Sequence, residues 1–314
     1  MNKHSSQQNA PLISVCMITY NHADYIAMAL DSILMQNGEF KLEIIVGEDC
    51  SSDNTRDILL AYREKFPDTI QLLLHEKNIG MNLNFAQTLE VCQGEYIAIL
   101  EGDDYWTDPF KLQKQLDFLE SNSGFSLCAT RYHELRRGKQ IESSAVGTVS
   151  FENAIIFNPF GTLTTLFRAS SLNNDVYRLL NEVAFPDWPL WLSLLRSGAG
   201  YILNDITAVY RQHESGVFSS MQHYKRNHTI YRTVLQLMND PLFAGLAPDE
   251  FKKSGRDKLR NLFKEKYDPE YWVEIKTIVQ SDSNFLSDNE KKILLSLYKI
   301  SNTLFRKIAK KMLP

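Results

Sequence analysis

Over the first 130 residues, short apolar runs alternate with amphipathic stretches. The β-rich runs are LISVCMI at 12–18, EIIVG at 43–47, IQLLLH at 70–75, YIAIL at 96–100 and FSLCA at 125–129. Between them, apolar residues recur at helical spacing. Residues 24–36 carry Ile26, Ala29, Leu30, Ile33 and Leu34; 54–65 carry Ile58, Leu59, Ala61 and Tyr62; 82–92 carry Leu83, Phe85, Ala86, Leu89 and Val91. A fourth helix is expected from Pro109, a residue suited to a first helical position, with Leu112, Leu116 and Leu119 on its apolar face. The runs are apolar throughout rather than at every second residue. That pattern predicts strands buried on both faces, hence an α/β fold with a mostly parallel sheet and helices on either side.

After residue 130 the alternation lapses. A strand is expected over 162–167, where Thr162, Thr164 and Thr165 are interspersed with apolar residues. A helix is expected in LWLSLLRSG after Asp187-Trp188, and a strand in YILNDITAVY. From about 221 the chain reads as helical and strongly charged. Ser287-Asp288-Asn289-Glu290 has the form of a capping box. It would open a helix with Leu294, Leu297, Ile300, Leu304, Ile308 and Met312 on one stripe, beside Lys299, Arg306, Lys307, Lys310 and Lys311. The expected organisation is a disordered tail over 1–11, an α/β domain over 12–220 and a C-terminal helical region over 221–314.

Composition narrows the class. The 314 residues are 44% hydrophobic, enough for a large core, and 34 basic against 38 acidic residues give a net charge of −4, which does not point to a nucleic-acid partner. Cys16, Cys50, Cys92 and Cys128 lack metal-binding spacing and are expected to be reduced, as in a cytoplasmic protein. No apolar run reaches the length of a membrane span, and the polar start MNKHSSQQNAP has no signal-peptide core.

In such sheets, ligands bind beyond the carboxyl ends of the strands. The expected strand ends are Thr19-Tyr20-Asn21, Glu48-Asp49, Lys77-Asn78-Ile79-Gly80 and Glu101-Gly102-Asp103-Asp104. The last places three carboxylates in four positions. Two such charges about 4 Å apart repel by roughly 4 kcal/mol at an effective dielectric near 20. A hard divalent cation or plain solvent exposure would each relieve that, and both readings stand at this point. Asp49 could accept a hydrogen bond from a nucleobase N–H. Asp53 and Thr55 read as helix-capping residues.

Taken in order, VCMITYN, GEDCSSDNT, NIGMNLNFAQTL, YIAILEGDDYW, FPDWPLW and YRQH resemble the inverting family-2 glycosyltransferases of the GT-A fold, over about 12–220. Three positions depart from that pattern: Glu48 replaces the first Asp of the second-strand pair, Glu101 the first Asp of the Asp-x-Asp metal motif, and Pro186 the first acid of the Glu-Asp motif. The resemblance implies a GT-A (Rossmann-like) sheet, with the nucleotide-sugar part over about 12–130 and the acceptor part over about 131–220. Thr19, Tyr20 and Asn21 would line the nucleotide pocket, with Glu48 in support. Asp49 would read the base and Glu101 would meet the ribose. Asp103 and His213 would hold Mn2+ or Mg2+, and Asp104 would shape the site. Arg211 and Ser219 are secondary diphosphate candidates, and Gly216 suits a closing loop. Asp187 would be the general base, alongside its plainer reading as a helix cap.

The implied reaction moves a sugar from a nucleoside diphosphate, UDP by family frequency with dTDP and GDP open, to a glycan or lipid-linked acceptor in bacterial surface polysaccharide assembly. The basic C-terminal helix is a candidate contact with the cytoplasmic face of the inner membrane. A homo-oligomer stays open. The alternatives are a sugar nucleotidyltransferase, disfavoured because TYNHADY after strand 1 lacks a glycine-rich basic loop, and an inactive binding module of the same fold.

Overall fold

The computed structural model describes residues 10–213, 216, 221–262, 276–280 and 286–298. The chain divides into two compact units. The first comprises Met1–Ala154 and Asn158–His213, the second Ile155–Phe157 and Glu214–Pro314.

The first unit is built on one sheet. Its strands are β1 (Leu12–Thr19), β2 (Lys41–Glu48), β3 (Ile70–Leu74), β4 (Tyr96–Ile99), β5 (Tyr105–Trp106), β6 (Phe125–Arg136), β7 (Lys139–Glu142), β8 (Gly147–Val149), β9 (Leu166–Arg168) and β10 (Ala199–Gln212). Their spatial order is β3-β2-β1-β4-β9-β6-β10-β5, with β7 on β6 and β8 on β10. The β3-β2-β1-β4 half is parallel throughout, and β9 joins it to the parallel pair β6–β10 by antiparallel contacts on both sides. This is the mixed, mostly parallel architecture expected from the apolar runs.

The helices α1 (Ile26–Leu34), α2 (Thr55–Lys65), α3 (Met81–Val91) and α4 (Lys111–Ser121) follow the sequence expectation to within a few residues. Ile13, Val15 and Met17 of β1 pack with Ile26, Leu30 and Ile33 of α1, Leu59 of α2 and Leu112, Leu116 and Leu119 of α4 in one buried cluster. Burying each such side chain contributes about 1.5–3 kcal/mol. The helix expected from Pro109 begins two residues later. Asp108 supplies its entry instead: its Oδ1 accepts from Phe110 N at 2.9 Å and its carbonyl from Lys111 N at 3.2 Å. Helices α5 (Phe151–Ile156), α6 (Asn174–Glu182) and α7 (Asp187–Leu195) complete the α-helices up to His213.

One expectation is corrected. The strand predicted over 162–167 is a 3-10 turn, Thr162–Thr164, followed by the shorter β9. The threonine hydroxyls are the cause. Thr164 Oγ1 donates to Gly161 O at 2.6 Å and Thr165 Oγ1 to Thr162 O at 2.9 Å, so local bonds outcompete the sheet ladder.

Beneath that turn lies a buried polar network. Trp106 Nε1 donates to Leu163 O at 2.7 Å, and Gln115 Nε2 donates to Cys128 O at 2.7 Å and Thr164 O at 2.8 Å. Lys111 is fully buried, donates to Gln115 Oε1 at 2.7 Å and sits 4.2 Å from the centre of the Trp106 ring. All four cysteines are free.

The second unit is helical in its described parts: α8 (His223–Asn239), α9 (Pro248–Leu262) and α10 (Asp288–Tyr298). Ser254 Oγ and Lys258 Nζ of α9 donate to the carbonyls of Ile155 and Ile156. The capping box forms as expected. Ser287 N and Oγ each donate to Glu290 Oε2 at 2.7 Å, and Glu290 N returns to Ser287 Oγ at 3.3 Å. Leu294 of the expected stripe is buried. Ser219, the tail over 1–9, and the continuation through Lys299, Ile300, Leu304, Arg306, Lys307, Ile308, Lys310, Lys311 and Met312 lie outside the described residues. No described helix is long and apolar enough to cross a membrane.

Burial pushes the Lys111 amine from its ordinary 10.5 down to about 7. In the unfolded chain the amine regains its ordinary value. Between about pH 7 and 10.5 the unfolded state therefore binds more protons, and stability gains from Lys111 as pH rises through that window. Lys111→Met should be the more stable form at pH 7, and its advantage over wild type should shrink by about pH 9.5, as read from urea unfolding of both at each pH.

Candidate active site

The parallel register makes the strands end level. β1 stays paired with β2 up to Thr19 opposite Glu48. The pairing then continues past the strands: Asp49 N donates to Thr19 O at 3.1 Å, and Gly102 N to Ile18 O at 3.0 Å. The four polar strand ends picked out from the sequence thus form one rim.

On the β2 side, Glu48 is 0% exposed. Its Oε1 accepts from Ser51 N at 2.5 Å and its Oε2 binds the Arg56 guanidinium, which also donates to His75 O at 2.6 Å. This carboxylate organises the loop leading into α2. Asp49 is almost as buried, and its two oxygens accept from Ile79 N at 2.7 Å and Gly80 N at 3.0 Å. Gly80, at φ +89°, occupies a backbone region open to glycine, which lets its N–H turn onto Asp49 as α3 begins. Each carboxylate oxygen retains a second lone pair, so Asp49 is a pre-set acceptor.

The segment after β1 is knitted to the same loop. Asn21 adopts a left-handed φ of 55°, and its Oδ1 accepts from Ser52 N at 2.8 Å. His22 N donates to Thr55 Oγ1 at 2.8 Å and Ala23 N to Asp53 Oδ2 at 3.0 Å. Asp53 Oδ1 also accepts from Thr55 N at 2.9 Å, which is the capping role read from the sequence. Tyr20 is 44% exposed, whereas the Thr19 side chain is buried and its hydroxyl has no hydrogen-bond partner among the described residues.

The acidic turn after β4 holds its three carboxylates in different states. Asp103 Oδ2 lies 2.9 Å from His213 Nε2 and 3.8 Å from His22 Nε2. Burial would raise its pKa, but the His213 hydrogen bond and the two imidazoles outweigh that and hold it below the ordinary value. Asp104 is buried and accepts from Arg211 N at 2.8 Å; burial, then the charges of Asp103 and Glu101, push it well up. Glu101 is raised to about 8 by burial, then by Asp103 and Asp187. The surroundings thus treat the three carboxylates unequally: the two imidazoles favour the charged form of Asp103, and burial disfavours it in Glu101 and Asp104.

Two residues from β10 and its end close this side. Arg211 donates to Asp103 O at 2.6 Å and to Met28 Sδ at 2.7 Å, and its guanidinium stacks 4.2 Å from the Tyr105 ring centre and 5.3 Å from that of Tyr25. His213 packs on Tyr25 with ring centres 5.0 Å apart. Asp187, one position after the N-cap residue Pro186, is the first residue of α7. Asn158 Nδ2 donates to its Oδ2 at 3.1 Å. Burial raises its pKa, against the opposing pull of the Trp188 N–H and Asn158.

The rim therefore gathers Glu101, Asp103, Asp104, Arg211 and His213, with Asp187 close enough for its charge to act on Glu101. Glu48, at the end of β2, and Asn21 and Asp49, just past β1 and β2, bond to the adjoining loops. Three neighbours escaped the sequence reading. His22 directly follows a strand-end motif, so the rule that selected Thr19–Asn21 could have reached it. Tyr25 reads as part of a helix face, and Asn158 carries no local signal at all.

Among the described residues, no three His, Cys, Asp or Glu side chains converge closely enough to cage a metal ion by themselves. A cation that also binds diphosphate oxygens needs less: one or two carboxylates suffice, the substrate filling the other positions. Asp103 Oδ2 and His213 Nε2, 2.9 Å apart, fit that requirement as a pair of adjacent donors.

A family model described as "Glycosyl transferase family 2" matches residues 14–174, just over half of the chain. TuaG of Bacillus subtilis, whose name assigns it to teichuronic acid biosynthesis as a glycosyltransferase, is 33% identical over 235 residues, covering 72% of this chain and 90% of that protein. An uncharacterized protein of Mycobacterium tuberculosis is 32% identical over 216 residues, 66% of this chain; the match spans 61% of that relative, less than two thirds of its length. Among solved structures, residues 1–349 of S. aureus TarS in complex with UDP-GlcNAc superpose with a TM-score of 0.69 at 18% identity, covering 95% of this chain and 90% of that one. A mannosyltransferase from Pyrobaculum calidifontis, in complex with GDP-Man and Mn2+, gives 0.55 at 14% identity, covering 97% and 88%. Both share the fold.

Removing the cation that offsets Glu48 should be costly. Arg56→Met leaves a buried carboxylate without its counter-charge and is expected to lose about 3 kcal/mol. Glu48→Gln in the same chain should recover part of that loss, as measured by urea unfolding at neutral pH.

Proposed function

The chain belongs to glycosyl transferase family 2, and on that premise we propose that it is a metal-dependent inverting glycosyltransferase. The donor is a nucleoside-diphosphate sugar, with UDP first, and the acceptor is a glycan or lipid-linked glycan in surface polysaccharide assembly. One observation carries the reading: Asp103 Oδ2 lies 2.9 Å from His213 Nε2, in the same acidic turn whose Glu101 feels the charge of Asp187. The names of TuaG and of the TarS complex with UDP-GlcNAc support the choice of donor and setting.

Asp49, with both oxygens oriented by backbone N–H groups, accepts the N–H of a uracil-type base. Thr19, Tyr20 and Asn21 border that pocket, and Glu101 meets the ribose. Its raised pKa makes Glu101 largely a protonated donor at neutral pH. Asp103 and His213 would hold Mn2+ or Mg2+. When bound, the cation offsets the charge that develops on the departing diphosphate. Asp187 takes the proton of an acceptor hydroxyl as that oxygen bonds to the anomeric carbon and the carbon–diphosphate oxygen bond breaks. A single displacement inverts the anomeric centre. Asn158 keeps one oxygen of Asp187 occupied and so orients the other.

Asp103 and Asp187 therefore have separable effects. Asp103→Ala should abolish the extra thermal stabilisation that Mn2+ gives the UDP complex. Asp187→Asn should bind UDP as wild type does and lose 10²- to 10⁴-fold in transfer rate; transfer at the normal rate would remove Asp187 from the base role. Because burial raises the Asp187 pKa and the base must be ionised, the acid limb of the kcat profile should lie above the ordinary carboxylate value of about 3.9.

A further inference from the structure

One face of the β6–β10 pair carries polar groups that the mechanism leaves unused. Past an irregularity at Ile206, the register runs evenly: Tyr132 opposite Ala208, His133 opposite Val209 and Glu134 opposite Tyr210. Side chains two apart on a strand share a face, and so do those at paired positions. Tyr132, Glu134 and Tyr210 therefore stand together. The two phenol rings meet edge to face, with centres 6.4 Å apart at 88°. All three side chains are half-buried. Neither the phenol hydroxyls nor the Glu134 carboxylate have a hydrogen-bond partner among the described residues, and none of these oxygens is sealed from solvent.

Their neighbours on one side belong to the acidic turn. Burial, then the charges of Asp104, Glu101 and Asp103, push the Tyr210 phenol up; burial, then Glu134 and Asp104, do the same for Tyr132. Both phenols stay protonated at neutral pH and can donate as well as accept. On the other side, Tyr132 lies against the segment that supports Asp187. A Cβ built on Gly161 would fall 2.7 Å from Tyr132 Cε1, so only glycine lets the ring rest there. Three residues earlier, Asn158 donates to Asp187 Oδ2 at 3.1 Å. In the displacement proposed above, the anomeric carbon lies between the departing diphosphate, at Asp103 and His213, and the acceptor oxygen, at Asp187. The ring of the transferred sugar occupies that interval, which the two tyrosines border.

We infer that Tyr132, Glu134 and Tyr210 hold the sugar ring of the nucleotide donor and so decide which sugar is transferred. This rests on the glycosyltransferase reading given above and deepens it. A pyranose presents apolar C–H faces and a rim of hydroxyls. Phenol rings match both, with an apolar body and a polar tip. The Glu134 carboxylate adds acceptors for sugar hydroxyls. A sugar with one hydroxyl inverted or replaced leaves a partly buried partner unpaired, and that loss is the source of discrimination.

Calorimetric titration of the full chain with UDP, UDP-glucose, UDP-galactose and UDP-N-acetylglucosamine, each with Mg2+ present, separates sugar from nucleotide recognition. Wild type should distinguish the best from the worst of the three sugars by about fivefold or more. Tyr132→Phe, Tyr210→Phe and Glu134→Gln keep the size of the side chain. Each should weaken the best-bound sugar nucleotide about three- to tenfold, narrow the spread among the three, and leave UDP itself bound as in wild type. Wild type that binds the three alike, or variants that keep wild-type affinity for the best of them, overturn the assignment while leaving UDP binding in place. Variants that lose UDP and sugar nucleotide in equal measure show a structural role and overturn it too. A wild-type chain that binds neither UDP nor any of the three overturns the donor reading as well.

Discussion

The site depends on one constraint, the level ending of parallel strands under a shared hydrogen-bond register. Because β1, β2 and the turn after β4 stay paired to their last residues, the acidic turn cannot splay outward to separate its charges. The carboxylates must coexist in a partly buried space, where like charges about 4 Å apart cost roughly 4 kcal/mol. The structure resolves this chemically. His213 and His22 hold the Asp103 pKa below its ordinary value, while burial, then the neighbouring carboxylates, push Asp104 and Glu101 up. Of the Asp103 carboxylate, Oδ2 is the oxygen that faces the imidazole nitrogens.

That arrangement needs support from both halves of the sheet. From the β2 side, the Glu48–Arg56 pair shapes the loop whose backbone captures Asn21, and Asp49 draws in the loop that opens α3. From the β10 side, Arg211 reaches back to the Asp103 carbonyl and fills the gap between Tyr25 and Tyr105. Several residues with the right chemistry for a ligand thus serve the framework first. A cationic side chain at a phosphate-facing rim is not by that fact a phosphate ligand, since its donors are partly committed to holding the acidic turn in place.

The buried Lys111 illustrates the same economy away from the rim. Its amine has one hydrogen-bond acceptor, Gln115, and the face of Trp106, and the cost of burial appears as a pKa near 7. In return, Gln115 anchors the Thr162–Thr164 turn to β6, which holds the antiparallel β9 between β4 and β6. No periodicity in the sequence marks this network, because each member reads as an ordinary helix, strand or loop residue on its own.

What the sequence determined by itself was everything governed by local chemistry and period: the strand–helix alternation, the helix faces, the Ser287–Glu290 box, and the strand ends Thr19, Asp49 and Asp103. Apolar period, capping and strand termination act within a dozen residues, so they can be read in one dimension. Tertiary structure alone decided the protonation of the acidic turn, the assignment of Glu48 and Arg211 to framework bonds, the turn in place of a strand at Thr162, and the meeting of Asp187 with Asn158 and of Asp103 with His22 and His213. The Thr162 turn and the Glu48 bonds involve residues three to eight apart, but which of several local partners wins is set by burial; the meetings of Asp187 with Asn158 and of Asp103 with His213 join residues 29 and 110 positions apart, and electrostatic energies at that range follow three-dimensional distance, which a linear pattern does not contain.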